Sequence, residues 1–248
     1  MIDTLVGFVF CGGKGTRLMP YTKDTPKPIL LTFNGKSFLE INIEKLLNLG
    51  AKHIYVNYTY GYDKFLEKTK KYGESVTLIE ELKPIGHGKT LCNLLPSLQE
   101  TTHIYTVNGD TISYFDYSKF LNNAKENNID FQILTSNNIY VQRNILIDEE
   151  SNVIGCKLND NNYFYTEKRT NLPFTNSLGE YVINTKALND IYQETLSQDF
   201  LGIFGENDIL EILVKNGKTV RTVPMQLQSY ISVNTIEEYN NFYKYNNA

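Results

Sequence analysis

The sequence predicts an α/β fold in which a mainly parallel sheet is flanked by helices and carries a small antiparallel insertion. Three observations carry this expectation. Apolar runs of strand length alternate with amphipathic stretches of helix length through the first half of the chain. The first run stops at a glycine-rich loop, as a buried parallel strand does at its carboxyl end. Between Tyr140 and Asn184 the alternation gives way to short β-branched and aromatic runs split by polar clusters.

The elements follow in order. Leu5–Phe10 is an apolar strand ending in Cys11-Gly12-Gly13. Ser37 with Glu40 three residues later is a capping-box signature that opens a helix through Ile41, Leu46 and Leu49, closed by Gly50. Strand His53–Tyr58, helix Tyr62–Tyr72, strand Val76–Glu80, helix Lys89–Gln99 and strand Ile104–Val107 alternate, which calls for right-handed βαβ crossovers. A helix over Tyr117–Asn127 and a strand over Asp130–Thr135 precede the insertion, whose hairpin turns fall at Asp148–Asn152 and Asp160–Asn162. Helices over Lys186–Leu196 and Asp208–Asn216, a strand over Val220–Val223 and a helix from Thr235 complete the pattern. A chain of 248 residues can fold as one domain, here with residues 1–135 and 136–248 as its two halves.

A net charge of −4 with no Lys/Arg-dense stretch gives no footprint for polymeric nucleic acid or an anionic membrane. No run approaches the roughly 20 apolar residues that span a bilayer, and Met1–Phe10 runs straight into a strand pattern without a basic leader. Cytoplasmic residence is expected. Cys11, Cys92 and Cys156 fit neither a disulfide framework nor a CxxC metal site, so reduced thiols are expected.

In Cys11-Gly12-Gly13-Lys14-Gly15-Thr16-Arg17 the missing side chains let backbone N–H groups approach a polyphosphate, while Lys14 and Arg17 neutralise it. The spacing excludes a dinucleotide fingerprint, because Leu18 stands where a third glycine is needed, and it excludes a GxxxxGK[ST] P-loop. In Pro26-Lys27-Pro28 two prolines stiffen the chain around one cation, a presentation suited to phosphate. Asn108-Gly109-Asp110 follows an apolar strand; it reads either as a plain turn or as a carboxylate placed to hold Mg2+, which prefers oxygen donors and substrate phosphates.

The loop Cys11–Leu18 followed by Thr25-Pro26-Lys27-Pro28 resembles the signature of the sugar nucleotidyltransferases, and Phe38-Leu39-Glu40 is similar to the branch of heptose- and mannose-1-phosphate guanylyltransferases. The resemblance implies a Rossmann-like nucleotide-diphospho-sugar transferase fold, with residues 1–135 as the nucleotide-binding half and 136–248 as the sugar-phosphate-binding half. It implies transfer of a nucleotidyl group from a nucleoside triphosphate to a sugar 1-phosphate with release of pyrophosphate, feeding surface polysaccharide synthesis, with GTP favoured over CTP. Arg17 and Lys27 then have catalytic roles, with Arg17 on the departing pyrophosphate and Lys27 on the α-phosphate. Nucleotide is bound by Cys11, Gly12, Gly13, Lys14, Gly15, Thr16, Glu81, Gly86, His87, Gly88, Asn108 and Gly109.

Glu81 to Gly88 is similar to the family's stretch against the base, with Gly86 and Gly88 leaving room for the ring and His87 departing from the usual small residue. His87 by itself reads more readily as a solvated loop histidine. Tyr165–Lys168 and Gly179-Glu180-Tyr181 resemble the sugar-phosphate segments, giving Glu167, Lys168 and Gly179 as substrate-binding residues, although Arg169 stands where a proline is expected. Near the end of the chain Ser232 occupies the position of the family's second metal carboxylate, and Asn234 is the candidate metal ligand beside Asp110; Asn234 or Thr235 with Glu237 or Glu238 equally reads as a helix cap.

No side chain is needed as a nucleophile, since the incoming phosphate is already anionic. Two other readings stay open: a cytidylyltransferase acting on a phosphorylated non-sugar molecule, and a nucleotide-binding regulatory protein that has lost turnover through Ser232. The resemblance also implies homo-oligomers, though no heptad or isolated apolar patch specifies one.

Overall fold

The computed structural model describes residues 4–98, 100–135, 145–157, 163–166, 173–197, 204–226 and 229–246. The fold is mixed α/β with a mainly parallel sheet, flanking helices and small antiparallel sheets. The chain divides into two compact units, each discontinuous: one holds residues 1–4, 85–105 and 116–226, the other 5–84, 106–115 and 227–248.

The second unit is built on strand Leu5–Phe10, every residue of which is buried. It pairs in parallel with His53–Tyr58, from Val6 opposite His53 to Phe10 opposite Asn57, and that strand pairs in parallel with Val76–Glu80. Near-continuous apolar composition is what a strand covered on both faces requires. Helix Phe38–Asn48 starts on the expected capping box: Ser37 Oγ accepts from Glu40 N–H, and Glu40 Oε2 accepts from Ser37 N–H at 3.0 Å. Its buried face sits close on the sheet at Gly7, where a Cβ would lie 2.8 Å from Leu46 Cδ1. Two short strands unforeseen in the sequence, Thr111–Tyr114 and Ser229–Ser232, form an antiparallel ladder with Ser232 opposite Thr111. Leu31, Phe38, Ile112 and Val233 form a buried cluster beneath it, and Phe242 and Tyr243 of helix Ile236–Asn246 pack on that cluster.

In the first unit strand Phe131–Thr135 is parallel to Val220–Pro224 and antiparallel to Ser177–Asn184. The expected antiparallel insertion is present as a four-stranded sheet in the order Tyr163–Tyr165, Val153–Lys157, Ile145–Ile147, Phe174–Thr175. It ends sooner than the sequence suggests, because Ser177–Asn184 leaves it for Phe131–Thr135. The hairpin turn after Ile147 forms where expected, with the Asp148 carboxylate accepting from the backbone N–H of Glu150 and Asn152. The turn expected at Asp160–Asn162 lies outside the described residues. Helix His87–Leu94 starts two residues before the expected Lys89, after Gly86 at φ +91°, and passes into a tighter turn over Leu95–Ser97, where Pro96 supplies no N–H.

The Glu40 carboxyl has a defined electrostatic setting. Burial pushes its pKa up, but hydrogen bonds from Lys71 and Ser37 outweigh it and hold it at about 2. A carboxyl depressed in the folded state adds stability that is complete above its unfolded value of about 4.3 and is lost as pH falls toward the folded value. Urea unfolding at pH 6 and pH 3 is therefore expected to show a larger acid loss for the native chain than for Glu40→Gln.

Candidate active site

The pocket lies within the second unit, at the carboxyl ends of its parallel strands, and is lined by Phe10, Cys11, Gly13, Gly15, Thr16, Arg17, Leu18, Lys27, Pro28, Asp110 and Asn234. Its volume of about 210 Å3 falls below the roughly 300–1,000 Å3 of pockets that enclose a whole ligand. It suits the charged part of a larger molecule.

The glycine loop is fixed by groups the sequence does not advertise. Cys11 N–H donates to Asn57 Oδ1 at 2.7 Å, an unusual use of a buried polar residue inside an apolar strand. Gly12 has no room for a side chain, since a Cβ would lie 2.8 Å from Asn57 Nδ2 and 2.9 Å from Glu81 Oε2. Gly15 adopts φ +62°, and its carbonyl accepts from the Thr22 hydroxyl at 2.8 Å. A left-handed conformation of this kind favours glycine. Thr16–Leu18 then forms one tight helical turn that buries Leu18 and leaves Arg17 on the pocket side. Lys14 is exposed, and it is not among the pocket-lining residues.

Lys27 opens a short helix, Lys27–Leu30, where the sequence suggested only a stiffened segment. Pro28 is tolerated because the first helical turn needs no N–H there. Pro26 is held against Gly61, where a Cβ would come within 2.7 Å of Pro26 Cγ.

The carboxylate side is anchored by backbone contacts. Gly109 N–H donates to Phe10 carbonyl at 2.9 Å. A Cβ on Gly109 would strike Cys11 Sγ and lie 3.1 Å from that carbonyl. The fully buried Asn42 donates from Nδ2 to the carbonyls of Asn108 at 3.3 Å and Thr111 at 3.0 Å, clamping the turn that carries Asp110. Burial, then the nearby Asp110 charge, raise the Cys11 pKa well above its ordinary value, so this thiol packs as a neutral group.

These supports bring four of the expected residues together. Lys27 Nζ lies 2.7 Å from Asp110 Oδ2 and donates to Asn234 Oδ1 at 3.0 Å, and Arg17 Nη2 donates to the same Asn234 oxygen at 3.3 Å. Asn234 is oriented by a bond from its Nδ2 to Ser232 Oγ at 2.8 Å. The expected helix cap is realised alongside: Thr235 Oγ1 accepts from Glu238 N–H, and Glu238 Oε2 accepts from Thr235 N–H. The ladder Thr111–Tyr114 with Ser229–Ser232 is what places Asn234 beside Asp110, and its short β-branched runs were the available signal.

Asp110 and Asn234 both line the pocket and both offer oxygen, the donor type that Mg2+ prefers. The residues present therefore fit a hard divalent cation. No group of three or more His, Cys, Asp or Glu suited to a metal exists among the described residues, so phosphate oxygens or water would have to complete the coordination.

The remaining expected residues are distributed elsewhere. Glu81 is buried and its side chain lies against Gly12 in the second unit. Gly86, His87 and Gly88 belong to the first unit. His87 Nδ1 lies 2.9 Å from Glu206 Oε2. Burial raises the Glu206 pKa, but the His87 hydrogen bond and charge carry it below its usual value. The space expected to admit a base at Gly88 is taken by protein, since a Cβ there would be 2.5 Å from the Gly205 carbonyl oxygen and 2.9 Å from the Phe204 ring. Close packing of residues 85–90 on residues 204–206 accounts for this glycine; Lys89 N–H donates to the Phe204 carbonyl, and Phe204 N–H to that of Ile85. Gly179 is buried at φ +77° in strand Ser177–Asn184. Glu167 and Lys168 lie outside the described residues.

A glycine loop, two cations and a strand-end carboxylate on a parallel α/β sheet define a protein equipped to handle a phosphate chain. The chain belongs to the nucleotidyl transferase family, whose model matches residues 6–143, more than half of the 248. Over 120 residues it is 35% identical to a D-glycero-alpha-D-manno-heptose 1-phosphate guanylyltransferase of Campylobacter jejuni, covering 47% of this chain and 53% of that protein. The matched stretch spans about half or less of the length of such curated relatives.

A Bacillus anthracis structure assigned as a glucose-1-phosphate thymidylyltransferase, in complex with sucrose, is similar with a TM-score of 0.74 at 17% identity, covering 96% of this chain and 93% of that one. HddC from Yersinia pseudotuberculosis, complexed with GMP-PN, has a TM-score of 0.67 at 24% identity over 95% of this chain and 96% of that one. At these identities the likeness establishes the fold.

Asn57→Ala is expected to leave the Cys11 N–H buried without its acceptor and to lower the unfolding free energy by about 1–3 kcal/mol, measured by urea denaturation. Gly109→Ala is expected to cost about as much, roughly 1–3 kcal/mol, through overpacking against Cys11 and Phe10.

Proposed function

We propose that this chain is a sugar-1-phosphate nucleotidyltransferase that requires Mg2+ and acts within the cytoplasm. The observation that carries the proposal is the convergence of Arg17, Lys27, Asp110 and Asn234 on one pocket beside the glycine loop. An oxygen of the sugar 1-phosphate attacks the α-phosphorus of the triphosphate, the bond to the β-phosphate oxygen breaks, and pyrophosphate leaves. The two reactants are anions that repel, so the protein's task is to align them and to spread the charge.

Backbone N–H groups of the glycine loop hold the phosphate chain. Arg17 neutralises the departing pyrophosphate, and Lys27 contacts the α-phosphate where charge builds. Asp110 and Asn234 would hold Mg2+, which when bound neutralises phosphoryl oxygens. Glu81, Gly86 and His87 serve the nucleotide, and Glu167, Lys168 and Gly179 serve the sugar phosphate, by resemblance to the family.

GTP is the favoured triphosphate. The heptose-1-phosphate relative is a guanylyltransferase, and HddC was solved with GMP-PN, a guanine nucleotide. The product, a nucleoside diphosphate sugar, is an activated donor of the kind polysaccharide synthesis consumes. Cys11, Cys92 and Cys156 are buried and form no disulfide among the described residues, which is compatible with a reducing compartment, and no helix among the described residues is long and apolar enough to cross a membrane.

Pyrophosphate release should require Mg2+, one triphosphate and one sugar 1-phosphate when the four ribonucleoside triphosphates and dTTP are screened against a sugar-phosphate panel. Lys27→Ala and Asp110→Ala are expected to cut turnover at least about 100-fold while the fold persists by circular dichroism. Release with only a non-sugar acceptor, or none with any pair, would overturn the reading.

A further inference from the structure

We propose that in the ligand-free protein Lys27 occupies the place of a divalent cation between Asp110 and Asn234, so that the cation is admitted only with a triphosphate that draws Lys27 away. The inference rests on the reading of Asp110 as the metal-holding carboxylate. The ammonium bridges the two oxygens that a cation would use, at 2.7 Å to Asp110 Oδ2 and 3.0 Å to Asn234 Oδ1. It is well placed to stay there. Its side chain is 8% exposed, and the short helix it opens is fixed by Pro26 packed on Gly61.

Asn234 has little freedom to offer its oxygen elsewhere. Its Nδ2 is bound to Ser232 Oγ, its backbone N–H donates to Glu238 Oε2 at 2.5 Å, and its Oδ1 already accepts from Arg17 as well as Lys27. An amide here, where a carboxylate would add negative charge, leaves the cluster with one carboxylate facing two cations. A free dication would meet two cations, Lys27 and Arg17, at the shared Asn234 oxygen and would have to displace a buried lysine to reach it. A triphosphate reverses both conditions. Its oxygens add several negative charges and give the three ammonium donors of Lys27 a new set of acceptors.

The test uses Mn2+ as the probe on the full chain, read by water proton relaxation enhancement, with circular dichroism melts confirming that each variant is folded. Without nucleotide the native chain is expected to form no binary Mn2+ complex, whereas Lys27→Met gains one at least about tenfold tighter by removing a charge within contact distance of Asp110. Asn234→Asp is expected to gain one too, and it decides the matter should Lys27→Met fail to fold. Binary binding by the native chain as tight as that of Lys27→Met, or no gain in any folded variant, overturns the placeholder. These arms use no nucleotide and no acceptor, so they are independent of which sugar or base the enzyme uses. Adding GTP, CTP or tripolyphosphate to the native chain should produce an enhanced ternary signal; absence with all three overturns the joint entry and the proposed function together.

Discussion

The pocket depends on one close approach between two stretches of backbone. Gly109 lies so near the end of strand Leu5–Phe10 that its N–H reaches the Phe10 carbonyl and no Cβ can intervene. That contact sets where Asp110 stands relative to the glycine loop, because the loop begins at the next residue, Cys11. Every further interaction in the site presupposes it. Asn42 clamps one side of the contact from the helix below, and Asn57 clamps the other from the neighbouring strand. Two buried amides thus do for the loops what ladder hydrogen bonds do for strands, satisfying backbone groups where regular pairing stops.

The charged groups follow from that frame. A lysine held nearly out of water is tolerable only when its ammonium has acceptors, and Asp110 with Asn234 supplies two. Arg17, on an exposed turn, shares the Asn234 oxygen from the solvent side. The arrangement concentrates positive charge at the mouth of the parallel strands, where the field of the backbone N–H groups has the same sign.

Much of the architecture was legible in the sequence because it is written in periodicity and capping. Strand Leu5–Phe10, the capping box at Ser37 and the break into antiparallel pairing after Thr135 each have a local signature that tertiary packing reinforced. The residues that line the pocket were legible because glycine and proline restrict backbone conformation in ways that leave a spacing. The groups that place those residues were not. Asn42 looks like an ordinary polar residue on a helix, and its role appears only because it falls on the buried face between Leu39 and Ile43. Gly88 illustrates the opposite failure. Its missing side chain was read as room for a ligand, and the room is filled by residues 204–205, more than a hundred positions away. Sequence shows that a side chain is absent and is silent on what takes the space.

The ladder between Thr111–Tyr114 and Ser229–Ser232 has a consequence for how the site comes into being. Lys27 and Asn234 stand 207 residues apart, so at a translation rate of about 5–20 residues per second Asn234 is added roughly 10–40 s after Lys27. For that interval the nascent chain carries its glycine loop and its lysine without the segment that closes the pocket. The strand that brings Asn234 must find its place against an edge already presented by Thr111–Tyr114. Completion of the pocket is in this sense a late event in the life of the polypeptide, fixed by the order in which its parts are made.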